Sequence, residues 1–157
     1  MMNTQRPYVF LAKITFFALI ISALPLSQIV LEVSPFWLLL FFIYWLTYFP
    51  AKGRFFLALL LGVLLDILQG DILGQNALAL ILSGAFIANV KQSFFVSNLS
   101  TQQVYVFIAS SIYLILFLLV HSLIQGFNFS YYLLFAPLSG ALFWPLVKLA
   151  LSKCKHQ

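Results

Sequence analysis

A chain of 157 residues that is 64% hydrophobic and 7% charged carries too much apolar surface to fold as a water-soluble domain of that size. Its mean hydropathy of +1.08 points to an integral membrane protein with several helical spans. The net charge of +5 comes from Lys and Arg placed singly or in pairs at the ends of apolar segments, without aromatic interleaving, so it points to membrane topology and not to nucleic acid. The single cysteine, Cys154, leaves no intrachain disulfide and reads as a free thiol in a basic tail.

Six apolar segments follow one another. The first, residues 8–24, has the outline of a signal peptide, and "ISALPLS" offers small residues for cleavage. Everything downstream is equally apolar, so an uncleaved first span is the expectation. The second, residues 35–49, begins "SPFW". Pro35 suits a first helical turn, where its missing N–H costs nothing. Trp37 falls at one interface, and Tyr44, Trp45 and Tyr48 fall toward the other, as an aromatic belt would. The third and fourth segments are residues 55–68 and 76–90, and the last two are 103–123 and 137–151. Several are shorter than the ~20 residues that cross the bilayer as a straight helix. A re-entrant pair in place of two full spans is the main alternative to six.

With the N-terminus in the cytoplasm and the spans alternating, all eight Lys and Arg fall on or near the inner side, and Glu32 and Asp71 fall outside. The positive-inside rule therefore predicts an even number of spans and both termini cytoplasmic. The connections near residues 24–34, 92–102 and 124–136 are too short for a soluble domain. The expectation is a single transmembrane domain over residues 1–157, all-α, with about six helices.

Only three residues are acidic, and two of them lie in "LLGVLLDILQGDILGQNALAL", residues 60–80. Gly62, Asp66 and Gly70 are spaced four apart and so share one stripe of a helix. A charged side chain at a helix centre costs ~2.5–3.5 kcal/mol on insertion scales. Asp66 should therefore face protein or water, with His121, Trp37 and Asn76 as candidate partners at similar depth. Three roles stay open: a packing clasp within the chain, a seat for a partner's helix, or proton or ion transfer. Next to it, Gly70, Asp71, Gly74, Gln75 and Asn76 form a tight outer turn in which Asn76 could cap the following helix. Ala79/Ser83 and Gly84/Ala88 are small-residue pairs suited to helix packing. The last segment carries Trp144-Pro145, where the proline should kink the helix or open a groove.

Catalysis has little support. His121 and His156 are isolated, and no nucleophile–base set, metal-ligand spacing or phosphate-binding glycine loop is readable. No cofactor is implied.

The order Pro35-x-Trp37, Tyr44-Trp45, Pro50, "GVLLDILQGDILGQNAL", then "SGALFWP" before a basic tail resembles the MreD family of bacterial rod shape-determining proteins. The resemblance covers nearly the whole chain, and its most specific part is the run Gly62-x3-Asp66-x3-Gly70-x3-Gly74. The segment before Pro35 carries no matching motif. The resemblance implies a non-enzymatic inner-membrane component of the lateral wall elongation machinery. It implies association with MreC, a single-span protein, and through it with MreB filaments, the RodA polymerase and a class B penicillin-binding transpeptidase. The implied fold is similar to the S components of energy-coupling-factor transporters. On this basis Pro35, Trp37, Tyr44, Gly62, Asp66, Gly70, Asp71, Gly74, Asn76, Trp144 and Pro145 are candidates for a partner interface or for helix packing. The membrane's own lipids are the other contact expected. Two rivals remain. A small-solute binder of the S-component type predicts an enclosed outer cavity near Asp66, Asp71 and Asn76. An intramembrane enzyme or proton carrier predicts two ionisable groups within hydrogen-bond reach at mid-depth.

Overall fold

The computed structural model describes residues 6–22, 24, 27–49, 53–128 and 130–155. Pro50 and Lys52 of the turn before α4, the side chains of Arg6, Cys154 and Lys155, and the terminal His156 and Gln157 lie outside the described residues. Those residues form α1 (Arg6–Ser22), α2 (Gln28–Val33), α3 (Trp37–Tyr48), α4 (Arg54–Gln69), α5 (Gln75–Asn89), α6 (Lys91–Val96), α7 (Leu99–Gln125), a 3-10 turn (Tyr131–Phe135) and α8 (Ala136–Lys155). No strand occurs among them. The fold is all-α, and exposed large apolar side chains such as Phe56, Ile67, Ile115 and Leu146 cover its outside, as a bilayer requires.

Among the described residues, three stretches are long and apolar enough to cross a membrane: Ile29–Tyr48, Leu99–Gln125 and Tyr131–Lys153. Gln75–Asn89 and Lys13–Ser22 are shorter apolar helices. At 16 and 15 residues, α4 and α5 each rise only ~24 Å or less at ~1.5 Å per residue.

The core gathers around α3, whose sequence WLLLFFIYWLTY is apolar on every side. A helix with no polar face is stable only when other helices surround it. Accordingly Leu39, Leu40 and Ile43 are fully buried, and α3 packs against α1, α5 and α8. The helices α4, α5, α7 and α8 pack in series. The opposite ends of this bundle carry opposite charge: Glu32 and Asp71 lie at one, and Lys91 and Lys148 lie toward the other. They are called the acidic and basic ends below.

Several local expectations change. Pro35 does not open α3; it precedes the cap residue Phe36, and the helix begins at Trp37. The connections near residues 24–34, 92–102 and 124–136 contain α2, most of α6 and the 3-10 turn. In α6 the reason is burial: Phe94 is fully inside and packs edge-on against Trp144 with ring centroids 5.5 Å apart. Tyr44 is not part of an interfacial belt. It is buried and packs on Tyr48 at 4.6 Å between centroids. α8 runs as one helix with Pro145 inside it.

Candidate functional site

The site begins with a close helix crossing. A methyl group added at Gly62 would stand 2.2 Å from the Cα of Ala77, so the α4 and α5 backbones meet where only hydrogen fits. One helical turn further on is Asp66, fully buried. The stripe stops there, because Gly70 is the C-cap of α4, with φ +71°. The chain then reverses and Gly74, φ +92°, caps the start of α5. Both angles are in the left-handed region that favours glycine, and together they set the tight return of the chain.

That return aims the start of α5 at the Asp66 carboxylate. The Gly74 N–H donates to Oδ2 (2.7 Å). The Asn76 N–H and the Asn76 side-chain amide donate to Oδ1 (3.0 and 2.9 Å). A helix N-terminus leaves its first N–H groups without partners. Here a carboxylate from the preceding helix supplies the acceptors, with the charge placed where the helix dipole favours it. Asn76, expected as the cap, is instead the second residue of α5 and bonds the carboxylate through its N–H and its side chain. Its Nδ2 also lies 3.4 Å from Gln69 Oε1, and its Oδ1 accepts a hydrogen bond from the Tyr113 hydroxyl of α7. Of the three partners proposed for Asp66, Asn76 is the one it bonds. His121 stacks on Phe117, and the Trp37 indole donates to Ser34 Oγ (2.9 Å). The hydrogen-bond partners of Asp66 among the described residues are Gly74 and Asn76. No group of three His, Cys, Asp or Glu suited to a metal ion occurs among the described residues.

Beside this clasp lies a cavity of about 490 Å³. Its walls include Pro35, Trp37, Leu65, Tyr113 and Phe117, and its polar lining includes Glu32, Ser34, Gln69, Asp71 and Asn76. It is partly open, where the solute-binding rival expected an enclosed chamber. It reaches Asp71 and Asn76, while Asp66 stands behind them. Burial pushes the Asp71 carboxyl above its ordinary range, and the negative charge of Asp66 adds to that. His121 and a hydrogen bond with Asn76 pull the other way.

A second buried polar centre lies toward the basic end, and the sequence reading missed it. Gln102, at the start of α7, is buried. Its Nε2 donates to the carbonyls of Phe94 and Ser97 (both 3.1 Å). Its Oε1 accepts from Trp144 Nε1 (3.2 Å) and Lys148 Nζ (2.9 Å) of α8. Trp144 thus joins helix ends far from Asp66, and Tyr44 and Pro145 also stand apart from the acidic end. Gln75 was missed as an anchor too: its Nε2 donates to the Phe117 carbonyl of α7 (3.1 Å). A useful signal was available, since a Gln or Tyr inside or beside an apolar run must find a partner.

No solved structure matches the chain, and the likeness to S components rests on the family resemblance alone. The family model described as "rod shape-determining protein MreD" matches residues 2–154, which is nearly all of the sequence and includes every residue of both polar centres. The chain belongs to the MreD family of rod shape-determining proteins.

Proposed function

We propose that this rod shape-determining membrane protein is a non-enzymatic scaffold and regulator of lateral wall synthesis in the inner membrane. It holds the membrane helix of an MreC-like bitopic protein. Through that partner it connects to MreB filaments, the RodA polymerase and the class B penicillin-binding transpeptidase. One structural observation carries this reading: α4 packs chiefly against α5 and turns Phe56, Leu59, Leu64 and Ile67 outward. A helix held so rigidly on one side, and apolar on the other, is a natural seat for another transmembrane helix. Asp66 spends its acceptors within the chain, so its role here is to shape the seat.

The test is co-purification of the tagged chain from membranes at matched expression, wild type beside Asp66→Asn and a Phe56→Ser/Ile67→Ser pair. Retention of an MreC-like protein by the wild type and its loss from the outward-face pair supports the reading. Equal retention by all three sinks it. Reporter fusions at Gln157 should place the C-terminus in the cytoplasm; a periplasmic signal would overturn the proposed six-span layout with both termini inside. A second reading, binding of a small solute, is favoured by the cavity at the acidic end.

A further inference from the structure

All three acidic residues of the chain gather at one end. Asp66 is satisfied by three donors. The other two, Glu32 and Asp71, line the cavity, and no Lys or Arg among the described residues lines it with them. No ion pair joins either carboxylate to another described residue. The basic group that acts on Asp71 is His121. Such a cavity attracts positive charge, because two carboxylates line it and no Lys or Arg among the described residues stands beside them.

The remaining lining narrows the class further. Phe36, Trp37, Tyr113 and Phe117 present aromatic surface, and Leu65 and Leu68 present aliphatic surface. Aromatic faces bind ammonium groups through their negative quadrupole. A volume of about 490 Å³ is within the range of small-molecule sites, which are mostly apolar with a few placed polar groups. A bare metal ion would leave most of that apolar lining unused.

We propose that this cavity is a binding site for an organic ammonium carried on an apolar body, its charge held between Glu32 and Asp71 and its body against Trp37 and the neighbouring aromatic rings. The proposal rests on the solute-binding reading and names the chemistry of the solute. It is independent of the α4 face offered to a partner helix. The ammonium can come from a free amine or from the headgroup of an aminolipid.

The test uses the full chain in an uncharged maltoside detergent. Thermal unfolding and Trp fluorescence are followed against 2-phenylethylammonium, with neutral 2-phenylethanol and anionic phenylacetate as controls. Saturable stabilisation by the ammonium alone, weakened roughly tenfold or more in affinity by a Glu32→Gln/Asp71→Asn pair, is the expected result. Equal stabilisation by the neutral alcohol would overturn the charge assignment while leaving a solute site standing. No response to any of the three at millimolar concentration would overturn both. If the double variant binds the ammonium as well as the wild type does, the two carboxylates are not its partners and the proposal fails. With binding established, mass spectrometry of lipids retained through purification assigns the source: an aminophospholipid lost from the double variant points to lipid, and unchanged lipid points to a free amine.

Discussion

Asp66 and Gln102 are both fully buried polar side chains in an apolar helical bundle, and each gathers several hydrogen bonds, yet they join very different stretches of chain. Asp66 binds Gly74 and Asn76, eight and ten residues away. Gln102 binds Trp144 and Lys148, 42 and 46 residues away. The first centre is charged and closes one hairpin by satisfying the start of α5. The second is a neutral amide that uses both its ends, donating to α6 and its following turn while accepting from α8. Charge goes where backbone N–H groups are waiting, and an amide goes where donors and acceptors must be met together. Two hydrogen bonds tie the start of α5 to α7: Tyr113 donates to Asn76, and Gln75 donates to the Phe117 carbonyl.

The comparison breaks most visibly at Asp66. Asp66→Ala removes the acceptor of the buried Asn76 N–H and of the part-buried Gly74 N–H and leaves the Asn76 amide only Gln69, and each orphaned buried donor costs ~1–3 kcal/mol. The expected result is the largest loss of stability among these variants, about 3 kcal/mol, read by unfolding in mixed detergent micelles. Wild-type stability would show that the carboxylate is not the clasp of the hairpin.

Gly62→Ala comes next. A Cβ at 2.2 Å from the Ala77 backbone cannot be absorbed by a side-chain rotation, so the helices must separate, at a cost of ~1–3 kcal/mol or more. Cysteine cross-linking between α4 and α5 should fall in this variant and fall further in Gly62→Leu. Unchanged cross-linking in Gly62→Leu would contradict the close crossing.

Gln102→Leu sharpens the contrast, because its damage is predicted elsewhere. It leaves the Trp144 indole N–H and the Phe94 carbonyl unpaired, for a loss of ~1–3 kcal/mol. Hydrogen exchange should rise in α6 and α8 and stay unchanged across α4 and α5. Equal loosening at both ends would mean that the two centres form one cooperative unit.

The smallest effect is expected for Asp71→Asn. In the folded state the Asp71 proton is held more tightly than in the unfolded chain, chiefly because burial disfavours its charge. The stability that this holds is therefore present at low pH. It is lost as pH rises from the ordinary aspartate range through the raised folded value. The variant should be slightly more stable than wild type near neutral pH, and the difference should vanish on acidification. A difference that grows on acidification would reverse the sign and remove the burial argument.

Composition and residue spacing settle the solvent and the local chemistry. Composition alone requires a membrane protein, and continuous apolar runs in a bilayer require helices, since every backbone polar group must be satisfied within the segment. The spacing of Gly62, Asp66 and Gly74 marked the α4–α5 hairpin, because its decisive bonds span ten residues or fewer. Gly70 turns the chain as expected; the detail that escaped is that Asp66, not Asn76, supplies the cap of α5. Tertiary structure alone decided that Gln102 meets Trp144 and Lys148, that Tyr113 reaches Asn76, and that Glu32 shares a cavity with Asp71. Pairings at such separations depend on which faces of distant helices meet, and an apolar run presents no polar pattern that orients one face toward another.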